Sequence, residues 1–291
     1  MPSRDAAGRT AYGAASIRAS EMFLPEKVRL FDDPLVIQLL PSPSRFVLRQ
    51  RFLRRTFLNL FESAAPGTRG ALLCRTCAID DAVNAAIWRG LKTIVLLGAG
   101  LDTRPCRLPS LAAATVTVFE LDLPEVQAFK KNRLLAHLGS IPKRVRFVPT
   151  DFQTDPLETT LSSAGLDPNE PAVFIWEGVT QYLEPAAVDA VLKTIAARPR
   201  QTELIFTYVL EEVITRQFRP DRDESFRKSA TRRPASWYFG IDPLHLESFL
   251  SERGLKLLED VGAKEHLALY VQPLGRQLTV SEIERVAHAS T

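Results

Sequence analysis

Between residues 93 and 208 the chain repeats one arrangement, a short β-branched apolar run that stops abruptly at a glycine or an acid. Thr93–Leu97 stops at Gly98-Ala99-Gly100, and Thr115–Phe119 at Glu120-Leu121-Asp122. Val145–Val148 stops before Asp151, and Val173–Trp176 at Glu177-Gly178. Leu204–Tyr208 is a further run of the same kind. Hydrophobicity within each run is continuous rather than alternating, so both faces of each strand should be buried. That calls for an α/β fold, an open and mostly parallel sheet with helices on either side. Leu257–Asp260 and His266–Val271 complete seven expected strands. The short gap between these last two predicts a hairpin, with the final strand antiparallel.

Ahead of the first strand, residues 14–62 read as helical, interrupted by Pro25, Pro34, Pro41 and Pro43. Ala64–Gly70 is a small-residue turn, and a helix is expected over Ala78–Arg89, with Ile79, Val83, Ala86 and Ile87 on one face. All of 1–291 is expected to form one domain, with 14–62 as a helical lid and 211–241 as a substrate-side insertion. No repeat or low-complexity stretch divides it.

At 45% hydrophobic and 24% charged residues the composition suits a globule with a full core. No apolar run approaches the ~20 residues of a membrane span, and Met1–Thr10 lacks the apolar core of a signal peptide. The expected location is therefore cytoplasmic, with no membrane partner. Net charge is only +3, but Arg45, Arg49, Arg51, Arg54 and Arg55 crowd one segment. They alternate with Phe46, Leu48, Phe52, Leu53, Phe57 and Leu58 at helical spacing, which favours a core-facing stripe with a solvated basic face over nucleic-acid binding. Cys74 and Cys77 form a lone C-x-x-C without a second pair, so they are expected to be small helix residues, and no metal is expected.

The acids and glycines at the strand ends lie where open α/β sheets bind ligands. Gly98 and Gly100 permit a sharp turn and a close approach to bare backbone. Position 103 is threonine, so the three-glycine dinucleotide fingerprint fails. This disfavours a pyrophosphate-bearing cofactor. Glu120 and Asp122 could accept hydrogen bonds from ribose hydroxyls, Asp122 being the first choice, although an acid before Pro124 could equally cap a helix. Asp151 could accept from an adenine amino group while Phe152 covers the ring, or the pair could be plain loop. Glu177 could neutralise an amino acid's ammonium and Arg75 pair with its carboxylate, though Arg75 could instead form an exposed salt bridge with Asp80 or Asp81.

Three strings carry a family resemblance: Val95-Leu96-Leu97-Gly98-Ala99-Gly100-Leu101-Asp102-Thr103-Arg104, Phe119-Glu120-Leu121-Asp122-Leu123-Pro124, and Trp176-Glu177-Gly178-Val179-Thr180-Gln181-Tyr182-Leu183. With Arg75-Thr76, Ile79-Asp80-Asp81 and Leu30-Phe31-Asp32-Asp33-Pro34, they resemble the leucine carboxyl methyltransferase family. More closely, they resemble its bacterial branch of S-adenosylmethionine-dependent O-methyltransferases, which includes polyketide carboxyl methyltransferases. The resemblance runs from about Thr10 to the C-terminus. It implies a Rossmann-like class I methyltransferase fold and S-adenosylmethionine as cofactor. It further implies Arg75 on the cofactor carboxylate, Gly98 and Gly100 along the methionine, Asp122 on ribose, Asp151 and Phe152 on adenine, and Glu177 at the amino group. Two positions depart from the pattern: Gln181 stands where the family favours an apolar residue, and Cys77 where an aromatic or basic residue is common.

The expected chemistry is methyl transfer to an oxygen, most simply the carboxylate of a small acid. A carboxylate of pKa near 4 is already ionised at neutral pH, so proximity suffices and no catalytic base is assigned. A phenol would want a base, and a peptide C-terminal carboxylate is the other alternative acceptor. Two non-methyltransferase readings are weaker: a binding protein without transfer, and a nicotinamide oxidoreductase, which Thr103 disfavours. Tyr182, Trp237 and Tyr238 are the expected substrate-side residues, with the arginines of 211–241 suited either to an anionic aromatic acid or to a solvated loop.

Overall fold

The computed structural model describes residues 4–113, 116–234 and 236–291, without the side chains of 4–10, Ala113 and Ser225. Its strands are β1 (Thr93–Leu97), β2 (Thr117–Asp122), β3 (Val145–Pro149), β4 (Val173–Trp176), β5 (Glu203–Val209), β6 (Lys256–Val261) and β7 (Glu284–Ser290). They form one sheet in the order β3-β2-β1-β4-β5-β7-β6. β1 pairs in parallel with both β2 and β4, and β7 runs antiparallel to β5 and β6. The strand order reverses between β1 and β4, which opens a crevice at their C-terminal ends.

Continuous hydrophobicity does what the sequence requires of it. Val95, Leu97, Phe119, Phe174 and Trp176 point into one core layer, while Ile94, Leu96, Val118, Val173 and Ile175 point into the other. Two expectations need correcting. His266–Val271 is helical, and the antiparallel last strand is Glu284–Ser290, so no tight hairpin joins β6 to its partner. Short apolar runs do not distinguish strand from helix by periodicity, and the length of the C-terminal connection was the missing signal. The expected start of the second strand, Thr115, lies outside the described residues.

The N-terminal region is helical as expected: α1 (Arg4–Glu21), α2 (Val36–Leu39), α3 (Ser42–Arg49) and α4 (Arg51–Ala64). Its arginine-rich part is less core-facing than the pattern implied. Only Leu48 of α3 is buried, α4 buries no residue fully, and Phe52 is 79% exposed. The long helix α5 (Thr68–Trp88) buries Cys74, Arg75, Cys77, Ile79 and Asp80. Burial raises the Cys74 thiol to about 12, and Cys77 Sγ donates to the Leu30 carbonyl oxygen at 3.5 Å. The remaining helices are α6 (Arg104–Arg107), α7 (Pro109–Ala113), α8 (Pro124–Leu138), α9 (Leu157–Ser163), α10 (Pro185–Ala196), α11 (Glu211–Thr215), α12 (Glu224–Thr231), α13 (Leu246–Ser251) and α14 (Ala263–His266).

Candidate functional site

The glycine turn after β1 is built for close approach. Gly98 and Gly100 have φ of 74° and 45°, a region costly for side-chain-bearing residues. The Gly98 and Ala99 amides both donate to the Leu121 carbonyl oxygen at 2.9 Å, tying the turn to β2. The Gly100 amide donates to Asp122 Oδ2 at 2.6 Å, and the Leu123 amide to Oδ1 at 2.7 Å. Burial raises the Asp122 pKa, and these two amides oppose the shift. Asp122 therefore both shapes the turn and steadies the chain before α8, which begins with Pro124. On the far side, a Cβ at Gly98 would sit 2.5 Å from Val179 Cγ2, so the segment after β4 packs directly on the turn. α1 lies over it, with Ala11 Cβ 3.6 Å from a Cβ built at Gly100.

Glu177, at the tip of β4, is the hub of a buried ion network. Its Oε1 accepts from Arg75 Nε at 2.8 Å and its Oε2 from Arg104 Nη1 at 2.7 Å. Burial alone would raise its pKa, but Arg104 and Arg75 outweigh that and hold it well below the usual carboxylate range. Arg75 makes neither of the salt bridges to Asp80 or Asp81 that the sequence left open. It is buried, and its Nη1 donates to both oxygens of Glu284 at 2.9 and 2.6 Å. The Arg75 Nη2 lies 3.2 Å from a Cβ built at Gly178, so a side chain there would crowd the guanidinium. Asp80 belongs to Arg104 and Arg107 instead.

Arg104 and Glu284 were not singled out from the sequence. Arg104 is 1% exposed and also meets Asp102 Oδ2 at 2.6 Å. Its place in the Asp102-Thr103-Arg104 string was the available signal. Glu284 had none, because its strand was assigned elsewhere.

The other expected cofactor residues stand apart from this hub. Glu120 is 1% exposed and pairs with Lys130 Nζ at 2.6 Å, with burial raising its pKa to about 7. That internal partner leaves Asp122 as the acid at the turn. Asp151 accepts from the Gln153 amide at 3.0 Å, shaping the loop after β3, and Phe152 packs against the core. The Thr150 amide donates to the Asp122 carbonyl oxygen at 2.9 Å, which sets this loop beside the β2 tip.

On the substrate side, Tyr182 and Trp237 meet edge to face with ring centroids 6.2 Å apart. The Tyr238 amide donates to the Gln181 carbonyl oxygen at 2.7 Å, so the 211–241 insertion is pinned to the segment after β4. Gln181 is only 4% exposed, yet its Oε1 has no hydrogen-bond partner among the described residues. An unpaired buried amide typically costs about 1–3 kcal/mol. Several of the insertion's arginines are held by internal partners. Arg233 donates to the Val213 and Ile214 carbonyl oxygens, Arg222 pairs with Glu212, and Arg219 with Asp242. A separate groove of about 840 Å³ lies away from the glycine turn, lined by Phe31, Cys77, Asp81, Arg107, His137 and Tyr270 among others.

A glycine turn after β1, an acid after β2 and a charged hub after β4, on this strand order, define a Rossmann-like fold of the class I methyltransferase kind. The chain belongs to the leucine carboxyl methyltransferase family, whose model matches residues 11–196. It is 34% identical over 195 residues to a Mycolicibacterium gilvum protein named "Putative S-adenosyl-L-methionine-dependent methyltransferase", covering 65% of this chain and 62% of that one. A Mycobacterium avium protein of the same name is 34% identical over 206 residues, covering 70% and 60% respectively. The chain thus spans about three-fifths of the length of these relatives. Among solved structures, a "putative methyltransferase" from Thermobifida fusca superposes with a TM-score of 0.58 at 18% identity, covering 82% of this chain and 88% of that one. A "duf574 family protein" from Streptomyces avermitilis gives 0.57 at 14%, covering 95% and 96%. Both likenesses concern the fold.

Proposed function

We propose that this chain is an S-adenosylmethionine-dependent O-methyltransferase that esterifies the carboxylate of a small-molecule acid. When bound, S-adenosylmethionine supplies an electrophilic methyl group on a sulfonium. The residues present suit it. Each Asp122 oxygen accepts one amide N–H and keeps a lone pair for a ribose hydroxyl. The glycine turn offers bare backbone, and Arg75 and Glu177 offer opposite charges to an amino acid moiety. Asp151 and Phe152 follow just after β3, in the loop beside the β2 tip that would take adenine.

The observation that carries the reading is Glu177, fixed and ionised beside Gly178 and Val179, which close on the glycine turn. This organises one rigid crevice at the strand-order reversal, where aligning two reactants supplies most of the acceleration. A carboxylate acceptor needs no proton removed, and the histidines lie elsewhere. His137 lies in the last turn of α8, His245 precedes α13, His266 is buried in α14, and His288 pairs with Glu203. Tyr182, Trp237 and Tyr238 form the acceptor-side wall.

The test is incubation of the purified protein with methyl-labelled S-adenosylmethionine and separate panels of small acids, phenols and peptides with free C-termini. Base-labile methyl esters of the small acids are expected. Base-stable ethers alone would overturn the carboxylate reading, and esters confined to peptides would overturn the small-molecule one. No binding of S-adenosylmethionine by calorimetry would remove the cofactor.

A further inference from the structure

We propose that Gln181 reads the acceptor, so that favoured substrates are acids carrying a hydroxyl or amide group besides the reacting carboxylate. This rests on the carboxylate reading above and adds to it a substrate class and the residue that selects it.

Gln181 sits within the 3-10 turn Thr180–Tyr182, two residues past Val179, whose Cγ2 packs on Gly98. From the other side the insertion holds it, through the Tyr238 amide on its carbonyl oxygen and the Trp237 ring on the neighbouring Tyr182. The residue is thus clamped between the glycine turn and the acceptor wall. Its backbone carbonyl is satisfied, so the fold does not require its amide. Yet the side chain is 4% exposed with Oε1 unpartnered, and the Trp237 Nε1 is likewise buried without a partner among the described residues.

An apolar side chain at position 181 would leave nothing unpaired. A buried amide oxygen without a partner is disfavoured in the free protein unless a ligand completes it. A hydroxyl or amide on the acceptor both donates and accepts, so it satisfies Gln181 whichever way the amide faces. The Trp237 indole N–H offers a second donor to the same kind of group. Several nearby arginines do not compete for this role, since Arg219, Arg222, Arg227 and Arg233 are held by carboxylates or carbonyl oxygens. Beside the Tyr182 and Tyr238 hydroxyls, Gln181 and Trp237 are the residues of this wall whose buried polar atoms lack a partner among the described residues.

The experiment compares the wild type with Gln181→Leu and Gln181→Met on paired acids, benzoic and phenylacetic acids against their hydroxylated and carboxamide-bearing counterparts. The wild type should prefer the substituted acids. Both variants should lose at least about tenfold of that preference in kcat/KM, as when a buried polar group is left unpaired. S-adenosylmethionine affinity should stay within about twofold, and the melting temperature of the free protein should hold or rise. A uniform loss on both members of each pair, or a fall in melting temperature with preference intact, would make Gln181 structural and overturn the inference. A wild type that methylates acids without preferring the substituted ones also overturns it, while leaving the carboxylate reading standing. A wild type that methylates no acid removes both.

Discussion

Arg75 of α5 and Glu177 at the tip of β4 are 102 residues apart in sequence and joined by an N–H···O bond of 2.8 Å. The bond links the helix that precedes the sheet to the crevice at its centre. Glu284 on β7 holds the other edge of the same guanidinium, so three elements distant in sequence meet at one cation. Such a network is costly to desolvate and costly to break. Removing a single member leaves an uncompensated buried charge.

Glu177→Ala is therefore expected to affect folding as well as cofactor affinity. A role confined to the cofactor's ammonium would leave folding intact. The geometry adds a structural role, because Arg75 and Arg104 would both lose a partner. A destabilisation of about 3–5 kcal/mol is expected, with Glu177→Gln milder because it keeps the shape and part of the hydrogen bonding. Urea unfolding at pH 7 measures it, and a change below about 1 kcal/mol would contradict the network's role. The folded pKa of Glu177 lies below its ordinary value of 4.5. Its contribution is thus present above that pH and fades as the pH falls through the acid range.

Asp122→Asn should weaken S-adenosylmethionine binding by about 1–3 kcal/mol, or roughly 5- to 150-fold in Kd, through loss of charge-assisted acceptance. Some loss of stability should accompany it, since the amides of Gly100 and Leu123 both rely on that carboxylate. Calorimetric titration decides the point. Unchanged affinity would move the ribose contact to another residue. Glu120→Gln makes the contrast, because Glu120 answers to Lys130 and its loss should register in stability rather than affinity.

Gly98→Ala tests the fit between the glycine turn and the segment after β4. The added methyl would meet Val179 Cγ2 at 2.5 Å on a residue whose φ is already +74°. A destabilisation of about 1–3 kcal/mol is expected, together with weaker cofactor binding. Adding Val179→Ala should restore part of the packing cost but none of the backbone cost. A double-mutant cycle showing no coupling between positions 98 and 179 would refute the contact.

What the sequence made legible follows from which signals are local. Strand ends announced themselves because continuous apolar runs stop where the chain must turn, and Gly98, Asp122 and Glu177 all lie at such stops. Glu120 and Asp122 look equivalent as a string, two acids at one strand end. As residues i and i+2 of one strand they share a face, and only tertiary contacts separate them, Glu120 pairing with Lys130 of α8 while Asp122, last in the strand, takes the Gly100 and Leu123 amides. Arg104 and Glu284 were missed because partners of a buried ion are chosen by tertiary contact, which no spacing rule encodes. The C-terminal error has a similar origin. Leu267–Val271 is apolar enough for a strand, but it packs against α5 through Tyr270 and Val271 as a helical turn.

His266, the last residue of α14 before that turn, makes stability depend on pH. His266 is 2% exposed, neither ring nitrogen has a partner among the described residues, and its ring lies 6.2 Å from that of Tyr270. Burial lowers its pKa from 6.5 to about 4, with Glu265 opposing the shift and Arg285 adding to it. The folded pKa lies below the unfolded one, so between the two values the unfolded chain holds more protons. Stability from this group is therefore complete above about pH 6.5 and is lost as the pH falls towards 4. His266→Leu removes the linkage, and its stability should fall less between pH 7.5 and 4.5 than that of the wild type, by about 2–3 kcal/mol. Glu120 acts in the opposite sense, since its raised pKa of about 7 makes protonation favour the folded state, but that contribution is common to both proteins and cancels in the difference. Urea midpoints across this range supply the comparison, and parallel pH profiles for the two proteins would show that His266 is protonated or hydrated in the native state.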